Sequence, residues 1–350
     1  MLSDLQARNF RCFEGITVPL VAGFNFFIGA NGEGKTSILE AACILLRLQS
    51  QRTSSLAPVV RAGTKSFLVR GRFSDHRMEL QYGGVRRRLR FDEIEQRQAT
   101  EYLSLARVVS FANTDIELVR GGSEARRRYL DFAGIQLHPK YRPTLRAYER
   151  ALRGRNALLK AMPARPGEIA AYNDLLVRHG RELGLLRAGL VNRLAPLAAL
   201  AHREISSEKD ALDVQFFAGN GLDFAAELAA SRAQEERLRQ TVVGPHRDDI
   251  ELSIDGMPAQ HFASEGQQRT AALALKVAQA RLLTGDEATP PLLLLDDIFG
   301  ELDPDRRNAL LRAIPNDSQK LITATSLHWR STEEEAVVWQ LRDRKLVRQD

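Results

Sequence analysis

The chain has 350 residues, 44% hydrophobic and 27% charged, enough to bury a sizeable core and to form one large domain with an insertion or two domains. Its two cysteines, Cys12 and Cys43, lie in apolar or helical surroundings and read as inert core thiols, which argues against a disulfide framework or a zinc site. The net charge of +6 fits a polyanionic partner such as nucleic acid and fits a compositional bias equally well, although "GGVRRRLR" at 83–90, "EARRRYL" at 124–130 and "RAYERALRGRN" at 146–156 concentrate it in the first half.

Asp4, Arg8, Arg11 and Glu14 interrupt the N-terminal segment where a signal peptide needs an unbroken apolar run. No later segment suggests the roughly 18 apolar residues of a membrane span, so a cytoplasmic protein is expected. Two apolar stretches before residue 28 are separated by Arg11 and a turn at Glu14 and Gly15, and the second, Phe24 to Ile28, reads as a strand feeding a glycine-rich loop. Ser37 to Leu48 is apolar on nearly every face, as in a helix buried under a sheet. Between 66 and 112, short apolar runs alternate with glycines and charges, which predicts an antiparallel sheet.

From 121 to 238 the pattern becomes helical. Leu145, Tyr148 and Leu152, then Leu176, Leu183, Leu186, Leu190, Leu194 and Leu197, form an apolar seam; "MPARPGE" at 162–168 breaks it, and Pro196 is expected to kink the second helix. At 249–263 the period shortens around a hairpin turn at Asp255 and Gly256. A helix (266–284), an apolar strand (291–295), a helix (304–313) and a strand (320–324) complete an α/β core split by a helical insertion.

Gly29, Ala30, Asn31, Gly32, Glu33, Gly34, Lys35 and Thr36 fit the phosphate-binding pattern G-x-x-x-x-G-K-S/T, between a strand and a helix N-terminus. Such a loop turns backbone N–H groups toward phosphates; Lys35 would reach the β and γ oxygens, Thr36 would ligate Mg²⁺, and Ser37 continues the cradle. An apolar strand ending in an acid should complete the site, and "LLLLDD" supplies Asp296 for the Mg²⁺ shell and Asp297 to orient an attacking water. Ser264, Gly266 and Gln267 precede an Ala- and Leu-rich helix, where a serine cap is commonplace; their place shortly before the acidic strand matches the signature segment of ABC-type ATPases.

Together, "GANGEGKT", "SEGQQR", "LLLLDD" and "GELDPDRR" resemble an ABC-type ATPase of the SMC-like branch. The further stretches "LVRGGSEARRRYLD", "RALRGRNALLK" and "TVVGPHRDDIEL" are similar to the RecF family of bacterial recombination mediators, over the whole chain. The resemblance implies an ABC-type P-loop ATPase head (1–120 and 239–350) with an inserted helical lobe (121–238), dimerising around ATP. It implies Lys35, Asp297 and Ser264 as catalytic residues, Ser264 and Gly266 contacting the γ-phosphate in trans, and Asp303 at the dimer interface. It also implies binding to DNA at single-strand/double-strand gaps with weak DNA-stimulated hydrolysis, and work with RecR and RecO to load RecA. Arg126, Arg127 and Arg128 are candidate DNA contacts.

Some positions depart from the family pattern. Phe111 is followed by Ala112, Asn113, Thr114 and Asp115 where the family usually has Pro-Glu-Asp, so only Phe111 and Asp115 carry over. The glutamine loop is not placed, and the switch residue is Thr323, Thr325 or His328. "GPHRDD" at 244–249 reads as a structural turn rather than a metal cluster. A transporter ATPase is disfavoured because Lys35 and Ser264 stand 229 residues apart; a non-hydrolysing nucleotide scaffold is the other alternative.

Overall fold

The computed structural model describes the chain except for residues 54, 85, 162–165, 207–209, 286–289, 328–335 and 350. Its contacts gather into two compact units, Met1–Asp115 with Gln279–Asp350, and Ile116–Ala278. The first begins with β1 (Leu2–Phe10), β2 (Phe13–Pro19), β3 (Phe24–Ile28), α1 (Lys35–Arg47), β4 (Ser66–Phe73), β5 (His76–Gly83), β6 (Arg86–Phe91), β7 (Ile94–Glu95), α2 (Thr100–Ser104) and β8 (Val108–Ala112). An antiparallel sheet runs in the order β2-β1-β4-β5-β6-β7. Its strands alternate, burying Leu5, Ala7, Phe67, Val69, Met78 and Leu80 on one face and leaving the other polar. β8 leaves this set, contrary to expectation. Its run Val108, Val109, Ser110 and Phe111 is buried at consecutive positions, which only a strand covered on both faces can satisfy.

The second unit contains α3 (Glu117–Arg120), α4 (Ser123–Leu137), α5 (Tyr141–Lys160), α6 (Pro166–Ser206), β9 (Leu212–Phe217), α7 (Phe224–Ala230), α8 (Arg232–Leu238), β10 (Asp249–Ile254), β11 (Met257–Pro258) and α9 (Ala259–Phe262). The predicted seam closes α5 on α6: Tyr141, Tyr148, Leu176, Leu183, Phe224 and Leu228 form the core, with Leu145, Leu152 and Leu186 against it. α6 runs as one helix through Pro196. It corrects one expectation, since its length and composition match those of a membrane-crossing helix. Yet its Arg187 is buried within this unit, between Asp131 and Asp248.

The helical reading of 121–238 missed β9, whose alternating Leu212, Val214 and Phe216 pair antiparallel with β10. That pairing joins 249–254 to the second unit, which runs on to Ala278. β10 and β11 turn through Asp255 and Gly256, both at positive φ (50° and 79°), as a two-residue hairpin requires. α10 (Glu265–Thr284) carries the chain across the boundary.

The returning segment adds β12 (Leu292–Asp296), α11 (Pro304–Ala313), β13 (Lys320–Ala324), β14 (Ala336–Arg342) and β15 (Lys345–Gln349), the last two not foreseen in the sequence. The second large sheet runs β15-β14-β3-β13-β12-β8, parallel apart from β15. α1 lies against β1, β4 and β5 of one sheet and β8, β12 and β13 of the other, which accounts for its apolar character on nearly every side. The Gln319 amide bonds both Leu2 N–H and Leu2 C=O, and also Val21 C=O, tying the entrance of β13 to the start of β1. Among parallel strands the carboxyl ends form the crevice where ligands bind, and here β3, β13 and β12 end side by side.

Candidate nucleotide-binding site

β3 ends at Ile28, and the loop from Gly29 to Gly34 delivers the chain to the N-terminus of α1. Gly34 sits at φ 107°, and a Cβ there would lie 2.5 Å from Phe13 Cζ and 2.7 Å from Cys12 Sγ, so a side chain is excluded both sterically and conformationally. Gly29 is equally constrained, because its Cβ would fall 2.6 Å from the Leu341 carbonyl oxygen. No side chain caps α1, so its first N–H groups remain directed at the loop, the arrangement that binds anions. Glu33 accepts a hydrogen bond from Arg344 N–H (2.9 Å), which fastens the loop to the β14–β15 turn. Behind the loop, fully buried Glu40 of α1 takes a bidentate pair from Arg11 (2.8 Å each) and a hydrogen bond from Ser50, so the helix has little freedom to turn. Cys43 is buried, while Cys12 is only half-buried.

Lys35 is 6% exposed and donates to the Gly29 and Ala30 carbonyls at 2.7 and 3.0 Å. Burial holds its ammonium below the ordinary lysine value, opposed by Asp297, Asp296 and Glu33. The Thr36 hydroxyl donates to Asp296 Oδ1 at 2.8 Å, joining the two half-sites read 260 residues apart. Thr323 donates to the same oxygen at 2.7 Å, and its own oxygen accepts the Asp297 N–H at 2.9 Å. Of the three switch candidates, fully buried Thr323 therefore belongs to the site; Thr325 is exposed, and His328 lies outside the described residues.

Asp297 occupies the left-handed region at φ 54°. Burial raises its carboxyl above the usual range, Lys35 opposes this, and Asp296 and Glu301 add to it. Asn113, which follows β8, donates to the Asp297 carbonyl (3.3 Å) and to Glu301 (2.9 Å). Sequence reading passed over Asn113 and Glu301. Asn113 stands in the segment that departs from the family pattern, where Asp115 accepts the Ala112 N–H.

The donor set suits a small hard cation: a threonine hydroxyl and a carboxylate, both oxygens, beside a lysine and an uncapped helix end for the phosphates. Among the described residues no group of three or more His, Cys, Asp or Glu side chains is arranged to hold a metal by itself. In "GPHRDD" the histidine and both acids have protein partners: His246 with Tyr148 and the Thr241 carbonyl, Asp248 with Arg187 and Gly219 N–H, Asp249 with Arg126.

In the second unit, Ser264 caps α10. Its hydroxyl accepts Gln267 N–H (3.3 Å) while the Gln267 side chain accepts Ser264 N–H (2.9 Å), a reciprocal capping box. Ser264 is exposed and Gly266 half-buried, so this helix end remains open to an external ligand. Asp303 caps α11 by accepting Arg306 N–H (2.9 Å) and is exposed. The three candidate DNA arginines separate. Arg126, 7% exposed, is locked to Asp249 by two bonds of 2.6 and 2.8 Å, which corrects the expectation that it faces a ligand. Arg127 donates to the Asp248 carbonyl and is held below its ordinary value by burial and by Arg187, whereas exposed Arg128 pairs with Glu124.

Comparison with known proteins agrees with this geometry. The RecF/RecN/SMC N-terminal domain family matches residues 1–344. The DNA replication and repair protein RecF of Symbiobacterium thermophilum is 38% identical over 343 residues, covering 93% of this chain and 92% of that one. RecF of Acidothermus cellulolyticus is 37% identical over 347 residues, covering 92% and 93%. The solved structure of the recombination mediator protein RecF with ATP, of the RecFOR pathway, superposes with a TM-score of 0.90 at 26% identity, covering 100% of this chain and 97% of that one. The Smc head of Pyrococcus furiosus shares the fold, with a TM-score of 0.57 at 14% identity, covering 99% and 96%.

Proposed function

The chain belongs to the RecF family of DNA replication and repair proteins, and from that premise we propose that it is an ATP-gated DNA-binding protein of recombinational repair. Family membership sets the transporter reading aside. The observation that carries the proposal is the convergence of the Thr36 and Thr323 hydroxyls on one Asp296 carboxylate oxygen beside Lys35. Bound ATP with Mg²⁺ supplies the transferable phosphoryl group and the charge that offsets it. The loop N–H groups and Lys35 hold the phosphates, Thr36 and Asp296 hold the cation, and Asp297 orients the attacking water. Ser264 and Gly266 of a second copy close over the γ-phosphate, with Asp303 at the same interface. Closure of this homodimer admits DNA at gaps in the cytoplasm, slow DNA-stimulated hydrolysis releases it, and RecR and RecO act downstream toward RecA loading.

Light-scattering molar mass tests this reading. Asp297→Asn should shift from monomer to dimer only with ATP and Mg²⁺ and should then bind a gapped duplex; Lys35→Met should do neither. A Lys35→Met variant that dimerises normally with ATP would sink the gated mechanism.

A further inference from the structure

The solvent face of the antiparallel sheet gathers a set of exposed arginines, whereas Arg126, Arg155 and Arg187 of the helical lobe are buried. Cross-strand partners share a face, so the pairings Asp4↔Arg72, Arg72↔Arg77, Arg70↔Glu79 and Glu79↔Arg90 fix which side chains stand together. Arg70 and Arg72 of β4, Arg77 of β5 and Arg86, Arg88 and Arg90 of β6 all project from this face and are exposed. A cavity of about 640 Å³ on this face is lined by Arg70, Arg72, Arg77 and Arg90, with Asp4, Glu79 and Glu93 among them.

Acids partly answer this charge: Glu93 pairs with Arg77, Glu79 lies between Arg70 and Arg90, Asp4 stands beside Arg72, and Glu95 faces Arg90. Arg72, Arg86 and Arg88 have no ion pair among the described residues. Arg72 and Arg77 are directly opposite, a like-charge pairing that destabilises a sheet unless an anion relieves it. Among the described residues this face carries no aromatic side chain at its strand positions, which include Asp4, Gln6 and Arg8, then Leu68, Arg70 and Arg72, then Arg77, Glu79 and Gln81. Single-strand binding relies on aromatic stacking, whereas duplex binding relies on guanidinium contacts to phosphates. Along β6, alternate arginines are about 7 Å apart, roughly two base steps of a duplex.

We propose that this sheet face is the docking surface for the phosphate backbone of double-stranded DNA, with Arg72, Arg77 and Arg88 as its central contacts. The assignment rests on the DNA-binding reading above and locates it on the first unit. The test compares the full-length chain, its Arg72→Gln/Arg77→Gln/Arg88→Gln variant and Arg128→Gln by fluorescence anisotropy with ATP, on a labelled blunt duplex and a labelled single strand over a range of salt. For the triple variant, duplex affinity should fall at least about tenfold and the slope of log K against log salt should lessen by roughly 0.9 per lost contact. Single-strand affinity should fall less, ATP affinity should stay unchanged as the check on folding, and Arg128→Gln should lower duplex affinity less than the triple variant does. If the native chain binds duplex and the triple variant keeps its affinity and slope, the sheet face is wrong while DNA binding stands. Loss of duplex binding in Arg128→Gln alone would move the surface to the helical unit, and a native chain that binds no DNA would remove the reading beneath both.

Discussion

Thr323→Val removes a hydroxyl and keeps the shape. In the native chain that hydroxyl donates to Asp296 Oδ1 (2.7 Å) and accepts Asp297 N–H (2.9 Å), at a position with no exposed surface. Valine leaves the Asp297 N–H without its acceptor, a cost of about 1–3 kcal/mol, and deletes a bond to a carboxylate that contributes about 1.5–3 kcal/mol. Some relaxation toward solvent is available because Asp296 and Asp297 are only half-buried, so a net loss of about 2–4 kcal/mol follows, or roughly 5–10 °C in the melting temperature of a unit this size. The left-handed backbone of Asp297 (φ 54°) then loses one of its two fastenings, the other being Asn113. Since a displacement of about 1 Å at a reacting group can slow catalysis a hundredfold, kcat should fall roughly ten- to hundredfold. Nucleotide affinity should change less than about threefold, because no contact of Lys35 or the glycine loop passes through Thr323. Phosphate-release kinetics, fluorescent-nucleotide titration and thermal melting on one preparation check this, with Thr323→Ser restoring kcat. A valine variant with unchanged kcat but a lower melting temperature would show the hydroxyl to be structural only, and equal losses in affinity and kcat would place its effect on the phosphate cradle instead.

Two further perturbations probe other parts of the chain. Gly34→Ala forces a Cβ to within 2.5 Å of Phe13 Cζ at φ 107°, so calorimetric titration should show nucleotide affinity reduced more than tenfold, about 1.4 kcal/mol; unaltered binding would mean that the loop has another conformation when occupied. His246 is pushed down to about 4, first by burial and then by Arg247, Arg127 and Arg155, against 6.5 in the unfolded chain. The unfolded state therefore binds the extra proton between those values, and the stability due to this residue is complete above 6.5 and lost as the pH falls toward 4. Chemical denaturation should lose about 2 kcal/mol between pH 7 and pH 5 from this residue, a decline that His246→Gln should remove; the same decline in the variant would assign it to other groups.

How far the sequence could be read follows from where each partner lies. The phosphate loop and the acidic strand were legible because each is a short run of defined residue types on a strand end, and the leucine seam because 3.6-residue spacing survives over two long helices. β9 was not, because its six residues sit inside a helical stretch and gain their identity only by pairing with β10, far along the chain. The same is true of Thr323 and Asn113, whose roles consist of hydrogen bonds to residues 26 or more positions away.

The arginine runs make the point physically. "RRR" occurs at 86–88, entering β6, and again at 126–128, inside α4. In a strand, residues two apart share a face, so Arg86, Arg88 and Arg90 emerge together while Arg87 turns away opposite Tyr82. In a helix, residues two apart lie on nearly opposite sides, so Arg126 enters a buried pair with Asp249 while Arg128 stays in solvent. Charge composition is identical in the two runs, and only the period of the backbone decides which becomes a surface. A basic run in an alternating strand can thus form a continuous row of guanidinium groups, whereas the helical run spends its first charge, Arg126, on the fold, and a phosphate backbone would meet the row.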